Sequence, residues 1–115
     1  MNLPLQVTYR GMTASDGVDK LIRDRAAKLE QYFDRITSCR VLLEVPHRHQ
    51  SKGRLFNLRI DIGVPGTEIV VNRTPPSHNE NEDVQVAIRE GFDIAKRELL
   101  EYAGRLREHR RSGVE

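Results

Sequence analysis

The stretch DVQVAIREGFDIAKRELLEYAGRLREHRR, from Asp83 to Arg111, constrains this chain more than any other, because one helical periodicity runs through it from end to end. At about 100° per residue, Val84, Ala87, Ile88, Gly91, Phe92, Ala95, Leu99, Tyr102 and Leu106 gather on one side. That stripe is the face of a helix packed against something. Arg89, Lys96 and Arg107 follow one edge of it, while Glu90, Glu101 and Glu108 follow the opposite side. The helix is therefore basic on one flank and acidic on the other, and a helix of this kind is stable only if the rest of the chain supplies a surface for its stripe.

The preceding segments read as that surface. Leu3, Leu5, Val7 and Tyr9 alternate with Gln6, Thr8 and Arg10, the period of a half-buried strand over Leu3–Arg10, with Pro4 suited to its start. After Gly11, the side-chain oxygens of Thr13, Ser15 and Asp16 are candidates to cap a helix spanning Gly17–Arg35. Its buried positions are Val18, Leu21, Ile22, Ala26, Leu29 and Phe33, and Arg25, Lys28, Tyr32 and Arg35 follow one edge. Strands are expected over Ser38–Val45, Leu55–Val64 and Thr67–Asn72, the last two joined by a Pro65-Gly66 turn. Between the first two of these, HRHQSKGR, His47 to Arg54, has no apolar residue and reads as an exposed cationic hairpin loop. The polar connection Arg73–Asp83 ends in Asn81, Glu82 and Asp83, all suited to a helix start.

The order β-α-β-β-β-α predicts an α+β fold. The first strand, helix and second strand form a crossover that favours parallel pairing, the later strands form an antiparallel meander, and both helices pack on one face of the mixed four-stranded sheet. The two basic edges then become neighbours. Whether they line one positive surface depends on helix orientation, which periodicity leaves open.

At 115 residues the chain is expected to form a single domain, 1–115, with fraying over 110–115. Its net charge of +2 excludes a polycation that coats nucleic acid at large, so an anionic partner must be met by a local patch. A single cysteine, Cys39, excludes an intramolecular disulfide and fits a reducing compartment; its place among alternating strand residues favours an inert buried thiol. The amino terminus has no signal-peptide pattern and no apolar run is long enough for a membrane span, so the expectation is a cytoplasmic protein without membrane association.

Catalysis finds no candidate residues: there is no Gly-rich phosphate loop, no spaced acid pair and no nucleophile motif. His47 and His49, with His78 in another loop, are the one combination that suggests a metal, but without a nearby cysteine or carboxylate they read better as cationic support beside Arg48, Lys52 and Arg54. No metal, cofactor or small-molecule substrate is expected. The basic flanks admit two readings, solvated helix faces or a track for phosphates; Tyr32 likewise suits a base-stacking ring or a rim residue packed on the sheet. The acidic flank of Glu90, Glu101 and Glu108 leaves a third reading, a regulatory module for a protein partner.

DRAAKLEQYFDRI (Asp24–Ile36) and EDVQVAIREGFDIAKREL (Glu82–Leu99), arranged around a meander containing VPGTEIVVN (Val64–Asn72) and following the opening LQVTYRGM, resemble the ribosome hibernation-promoting factor and ribosome-associated inhibitor family, also called sigma-factor modulation proteins. The resemblance implies a domain related in shape to double-stranded RNA-binding modules. It also implies a non-enzymatic role: binding the small ribosomal subunit in the channel used by messenger and transfer RNA, through basic residues of both helices. Arg25 and Lys28 match basic positions of the family's first helix and Arg97 one in the second, whereas Ile94 and Glu101 stand where a typical member has lysine. Arg105, Arg107, Arg110 and Arg111 follow later on the same helix. The expected RNA-binding set is therefore Arg25, Lys28, Tyr32, Arg35, Arg89, Lys96, Arg97, Arg105, Arg107 and Arg110, with Arg48, Lys52 and Arg54 in loop support. Long members carry a further domain that pairs ribosomes; without one, this chain is expected to silence ribosomes without pairing them by that route.

Overall fold

A computed structural model describes residues 4–45, 55–75 and 83–112. Leu3, the loop residues His47 to Arg54, and Asn81 and Glu82 lie outside them. The elements run β1 (Leu5–Arg10), α1 (Asp16–Leu29), β2 (Ser38–Glu44), β3 (Asn57–Val64), β4 (Thr67–Arg73) and α2 (Val84–Ser112). The strands form one sheet in the order β1-β2-β3-β4. β1 pairs parallel with β2, Val7 opposite Val41, whereas β2–β3 and β3–β4 are antiparallel, with Val41 opposite Ile60 and Ile60 opposite Val71. The expected β-α-β-β-β-α order and mixed sheet are thus present.

Alternation decides which side of the sheet is covered. Cys39, Val41, Leu43, Leu58, Ile60, Ile62 and Val71 turn inward and are buried together with Val18, Ile22, Ala26 and Leu29 of α1 and Ala87, Ile88, Phe92, Ala95 and Leu99 of α2. Their neighbours in sequence, Arg40, Arg59, Glu68, Val70 and Asn72, are exposed on the other face. Each helix returns antiparallel to the strand before it, and β1 and β4 point the same way across this sheet, so α1 and α2 run in the same direction over one face.

Caps and turns fix the ends. Ser15 accepts a hydrogen bond from the Val18 amide at 3.1 Å and is the cap of α1; Asp83 accepts from the Gln85 amide at 2.9 Å at the start of α2. Gly66 takes φ +82 in the β3–β4 turn, a conformation open to glycine at no steric cost. Gly91 is required for a different reason, since a Cβ there would collide with the side chain of Leu58; the missing side chain lets α2 settle directly onto β3.

Two of the boundaries that differ from expectation have a clear cause. α1 stops at Leu29 instead of continuing to Arg35, because the amides of Gln31 and Tyr32 bond to the carbonyls of Lys28 and Leu29, three residues back, and the chain tightens into turns that lead to β2. Phe33 keeps its helical spacing from Leu29 and is still buried, which is why periodicity extends the helix too far. Arg73 closes β4 and does not open a connection; its guanidinium is only 6% exposed, donating to Glu90 Oε1 at 2.8 and 3.1 Å and to the Phe56 carbonyl at 3.0 Å. α2 is helical through Ser112.

Gly91→Val is expected to destabilise the fold by about 2–3 kcal/mol through overpacking against Leu58, whereas Gly17→Ala, which meets nothing closer than the Ser15 hydroxyl at 3.9 Å, should be neutral or stabilising by up to about 1 kcal/mol. Urea unfolding midpoints of the two variants check this; equal shifts of the same sign would refute the close approach.

Candidate nucleic-acid interface

The expected cations sort by where the helices place them. The side of α1 that carries Leu21, Arg25 and Lys28 leads toward Tyr32, and Lys96 of α2 lies over the Tyr32 ring with Nζ 5.0 Å from its centroid. This contact brings the Lys96 edge of α2 to the side of the molecule on which Tyr32 follows α1. A few residues on, the turn after α1 and the last turns of α2 form a cleft lined by Gln31, Tyr32, Phe33, Asp34, Arg35, Ala103, Leu106 and Arg107. Arg35 and Arg107 both line it although Arg35 lies outside the helix.

Tyr32 is therefore half-buried and cation-covered, closer to the rim residue than to a freely offered ring. Arg25 is half-buried, whereas Lys28, Arg35, Arg89, Lys96 and Arg107 are exposed. Arg97 and Arg105 are exposed too, but stepping 100° per residue puts them on the side of Glu90 and Glu101, away from α1. The backbone of Arg110 and Arg111 is helical; their side chains, and all of Arg48, Lys52 and Arg54, lie outside the described residues, as do His47, His49 and His78. Among the described residues no cluster of three His, Cys, Asp or Glu side chains is placed to hold a metal ion, and no helix is long and apolar enough to cross a membrane.

Ion pairs engage some of the cations and not others. On the open face of the sheet Arg40 reaches Glu68 at 2.8 Å and Asp61 at 3.5 Å, and Arg59 reaches Asp61 at 2.9 Å. Along α1, Lys20 pairs with Asp24 at 3.1 Å and Arg23 with Asp19 at 2.7 Å. The Arg23 guanidinium, followed by the Tyr9 hydroxyl at 2.8 Å, holds the Asp19 carboxyl below the usual carboxylate range. Among the described residues, none of Arg25, Lys28, Arg35, Arg89, Lys96 and Arg107 forms an ion pair with a carboxylate. Their charge is held on rings and open surface, available to an anion from outside.

Two residues that periodicity marks only as core also belong to this surface. Phe33 and Tyr102 meet edge to face, centroids 5.3 Å apart at 86°, and Arg35 lies over Phe33 at 5.3 Å. The Tyr102 hydroxyl donates to the Pro65 carbonyl at 3.1 Å. Aromatic residues next to expected cations were the signal that could have found them. The acidic flank is partly spent inside the molecule, since Glu90 holds Arg73.

Comparison with known proteins finds likeness over most of the chain. The family model described as Sigma 54 modulation protein / S30EA ribosomal protein matches residues 5–107. A ribosome hibernation promoting factor of Escherichia coli (strain K12) is 29% identical over 108 residues, covering 93% of this chain and 100% of that protein. One from Azotobacter vinelandii is 28% identical over 100 residues, 85% of this chain and 82% of that protein. Among solved structures, a ribosomal subunit interface protein from Coxiella burnetii superposes with a TM-score of 0.71 at 13% identity, covering 89% of this chain and 99% of its own. The N-terminal domain of Thermus thermophilus Protein Y gives 0.66 at 17% identity with the same coverage.

Cys39 is fully buried in β2, and burial, followed by the Asp61 charge, pushes its thiol up to about 11. A raised thiol stabilises the fold below its ordinary value of 9.0 and loses that contribution as pH climbs through about 11. Native protein is expected to resist iodoacetamide at pH 8 and react on unfolding, and the stability advantage of wild type over Cys39→Ala should shrink only across that alkaline window. Rapid labelling of folded protein at pH 8 would contradict the burial.

Proposed function

The chain belongs to the Sigma 54 modulation protein / S30EA ribosomal protein family, and from that premise we propose that it is a ribosome hibernation factor. It docks on the small subunit by the cationic surface between its two helices and there excludes messenger and transfer RNA. The observation that carries this reading is that, among the described residues, Arg25, Lys28, Arg35, Arg89, Lys96 and Arg107 form no ion pair with a carboxylate, whereas Lys20, Arg23, Arg40, Arg59 and Arg73 do. A duplex or folded RNA presents closely spaced phosphates, and each one neutralised releases counterions, so a track of unpaired cations gives affinity without base recognition. Arg97, Arg105 and Arg110 take a secondary part in this reading, reaching phosphates that flank the main track. The mechanism is occlusion: binding energy holds a folded domain where other RNAs must pass, and no bond is made or broken.

The family names make ribosomal RNA the favoured partner over a protein bound through the acidic flank, and that flank has already given Glu90 to Arg73. Cosedimentation with purified small subunits tests the proposal. Wild-type affinity should fall with salt at a log–log slope of about −4 to −5. The Arg25→Glu, Lys28→Glu double variant should lose about 100-fold in affinity, and neutralising the same two residues should lower the slope by about 2. Absence of cosedimentation at low salt, or binding indifferent to these changes, would overturn it; recovery of a single protein partner and no RNA would favour the acidic flank instead.

A further inference from the structure

Resting on the RNA-binding reading above, we propose that the cleft between the end of α1 and the last turns of α2 is a phosphodiester subsite. In it Arg35 and Arg107 take a backbone phosphate of RNA, and the Phe33–Tyr102 pair positions Arg35 for it. Both residues line the cleft from separate elements, Arg35 over the Phe33 ring and Arg107 with its guanidinium passing Gly104, and neither is paired with a carboxylate among the described residues.

An arginine on an exposed turn ordinarily samples many rotamers, and ordering it on a ligand costs side-chain entropy. Here that freedom is already restricted. The Pro65 carbonyl accepts from the Tyr102 hydroxyl at 3.1 Å, the Tyr102 ring meets Phe33 edge to face at 5.3 Å, and Phe33 offers its face to the Arg35 guanidinium at 5.3 Å. The series ties Arg35 to the β3–β4 turn, across the molecule from its own segment. A guanidinium stacked on a ring keeps its N–H edge free, and that planar edge suits two phosphate oxygens at once. Arg107 closes the other side from α2. Leu106 and Ala103 add apolar surface to the lining. Asp34 is the carboxylate in the lining and opposes a phosphate; a cationic or neutral ligand would gain from it instead.

Two readouts test the assignment. In small-subunit binding, Arg35→Gln and Arg107→Gln should each weaken affinity about tenfold and each lower the salt slope by about 1. Phe33→Leu should weaken binding with the slope unchanged, because a positioned charge is lost from place but not from number; Phe33→Tyr should restore it, and Asp34→Asn should tighten binding. In the second readout, arginine Nε–Hε NMR signals are followed as a single-stranded oligouridylate is added to the whole protein. Arg35 and Arg107 should shift, and Arg40 and Arg59, engaged on the opposite face, should not. If subunits bind but the cleft variants match wild type, the subsite is wrong and the ribosome reading stands. If subunits do not bind, the titration decides alone: shifts at Arg35 and Arg107 keep the subsite, and their absence overturns it.

Discussion

Helix α2 can lie against β3 only because Gly91 presents no Cβ to Leu58. That approach has consequences well away from the glycine. It fixes the rotation of α2 about its axis, so that Ala87, Ile88, Phe92, Ala95 and Leu99 go into the core and the Arg89–Lys96–Arg107 edge emerges on the side of α1. Buried Arg73 then locks the same setting from the sheet edge, since its guanidinium reaches both Glu90 on the helix and the Phe56 carbonyl. A helix of 29 residues is about 43 Å long at 1.5 Å per residue, whereas seven strand residues span about 23 Å, so α2 outruns the sheet. Its last turns are carried past the β3–β4 turn, where Tyr102 is fastened to Pro65.

The overhang explains why the domain can be nearly neutral in sum and still strongly cationic in one place. Over the sheet, neighbouring strands bring side chains into register, and opposite charges placed across from each other compensate, as Arg40 does with Asp61 and Glu68. Between two parallel helices no such register exists. Cations there meet the rings of Tyr32 and Phe33, which attract a charge without neutralising it. A positive surface thus arises from the kind of neighbour each cation finds rather than from the number of cations in the chain.

Sequence periodicity carried most of the architecture, because alternation and the 3.6-residue stripe report directly which residues must leave water. The inward strand residues and the helical core positions follow from it, and the parallel and antiparallel pairing follows from the order of the elements and their connections. The turn after Leu29 was not legible, because Phe33 sits at helical spacing from Leu29 while its backbone has left the helix. Arg73 was misplaced for a related reason: a charged residue beside Thr74 and Pro75 looks like loop, and only the tertiary partners Glu90 and Phe56 make it the buried end of a strand. The candidate site was half legible. The two basic edges could be written down from the wheel, but the contact of Lys96 with Tyr32, and the aromatic support beneath Arg35, depend on the relative rotation of two helices.

Helix rotation also changes what the departures at Ile94 and Glu101 mean. Both stand where lysine would be expected in a relative, and the later arginines Arg105, Arg107, Arg110 and Arg111 looked like replacements. Ile94 is half-buried and packs against the core, so its apolar side chain contributes to seating α2. Glu101 is exposed on the side away from α1. Neither position belongs to the edge that faces the first helix, so the charges missing there do not interrupt the surface formed by Tyr32, Arg35, Lys96 and Arg107. Of the later arginines with described side chains, Arg107 alone lines the cleft, and both Arg105 and Arg107 border the outer side of α2 with Glu101 and Glu108. The chain has therefore not shifted a uniform basic track along α2. The outer side of α2 is mixed in sign, so the surface proposed to meet an RNA is narrower than the count of arginines suggests.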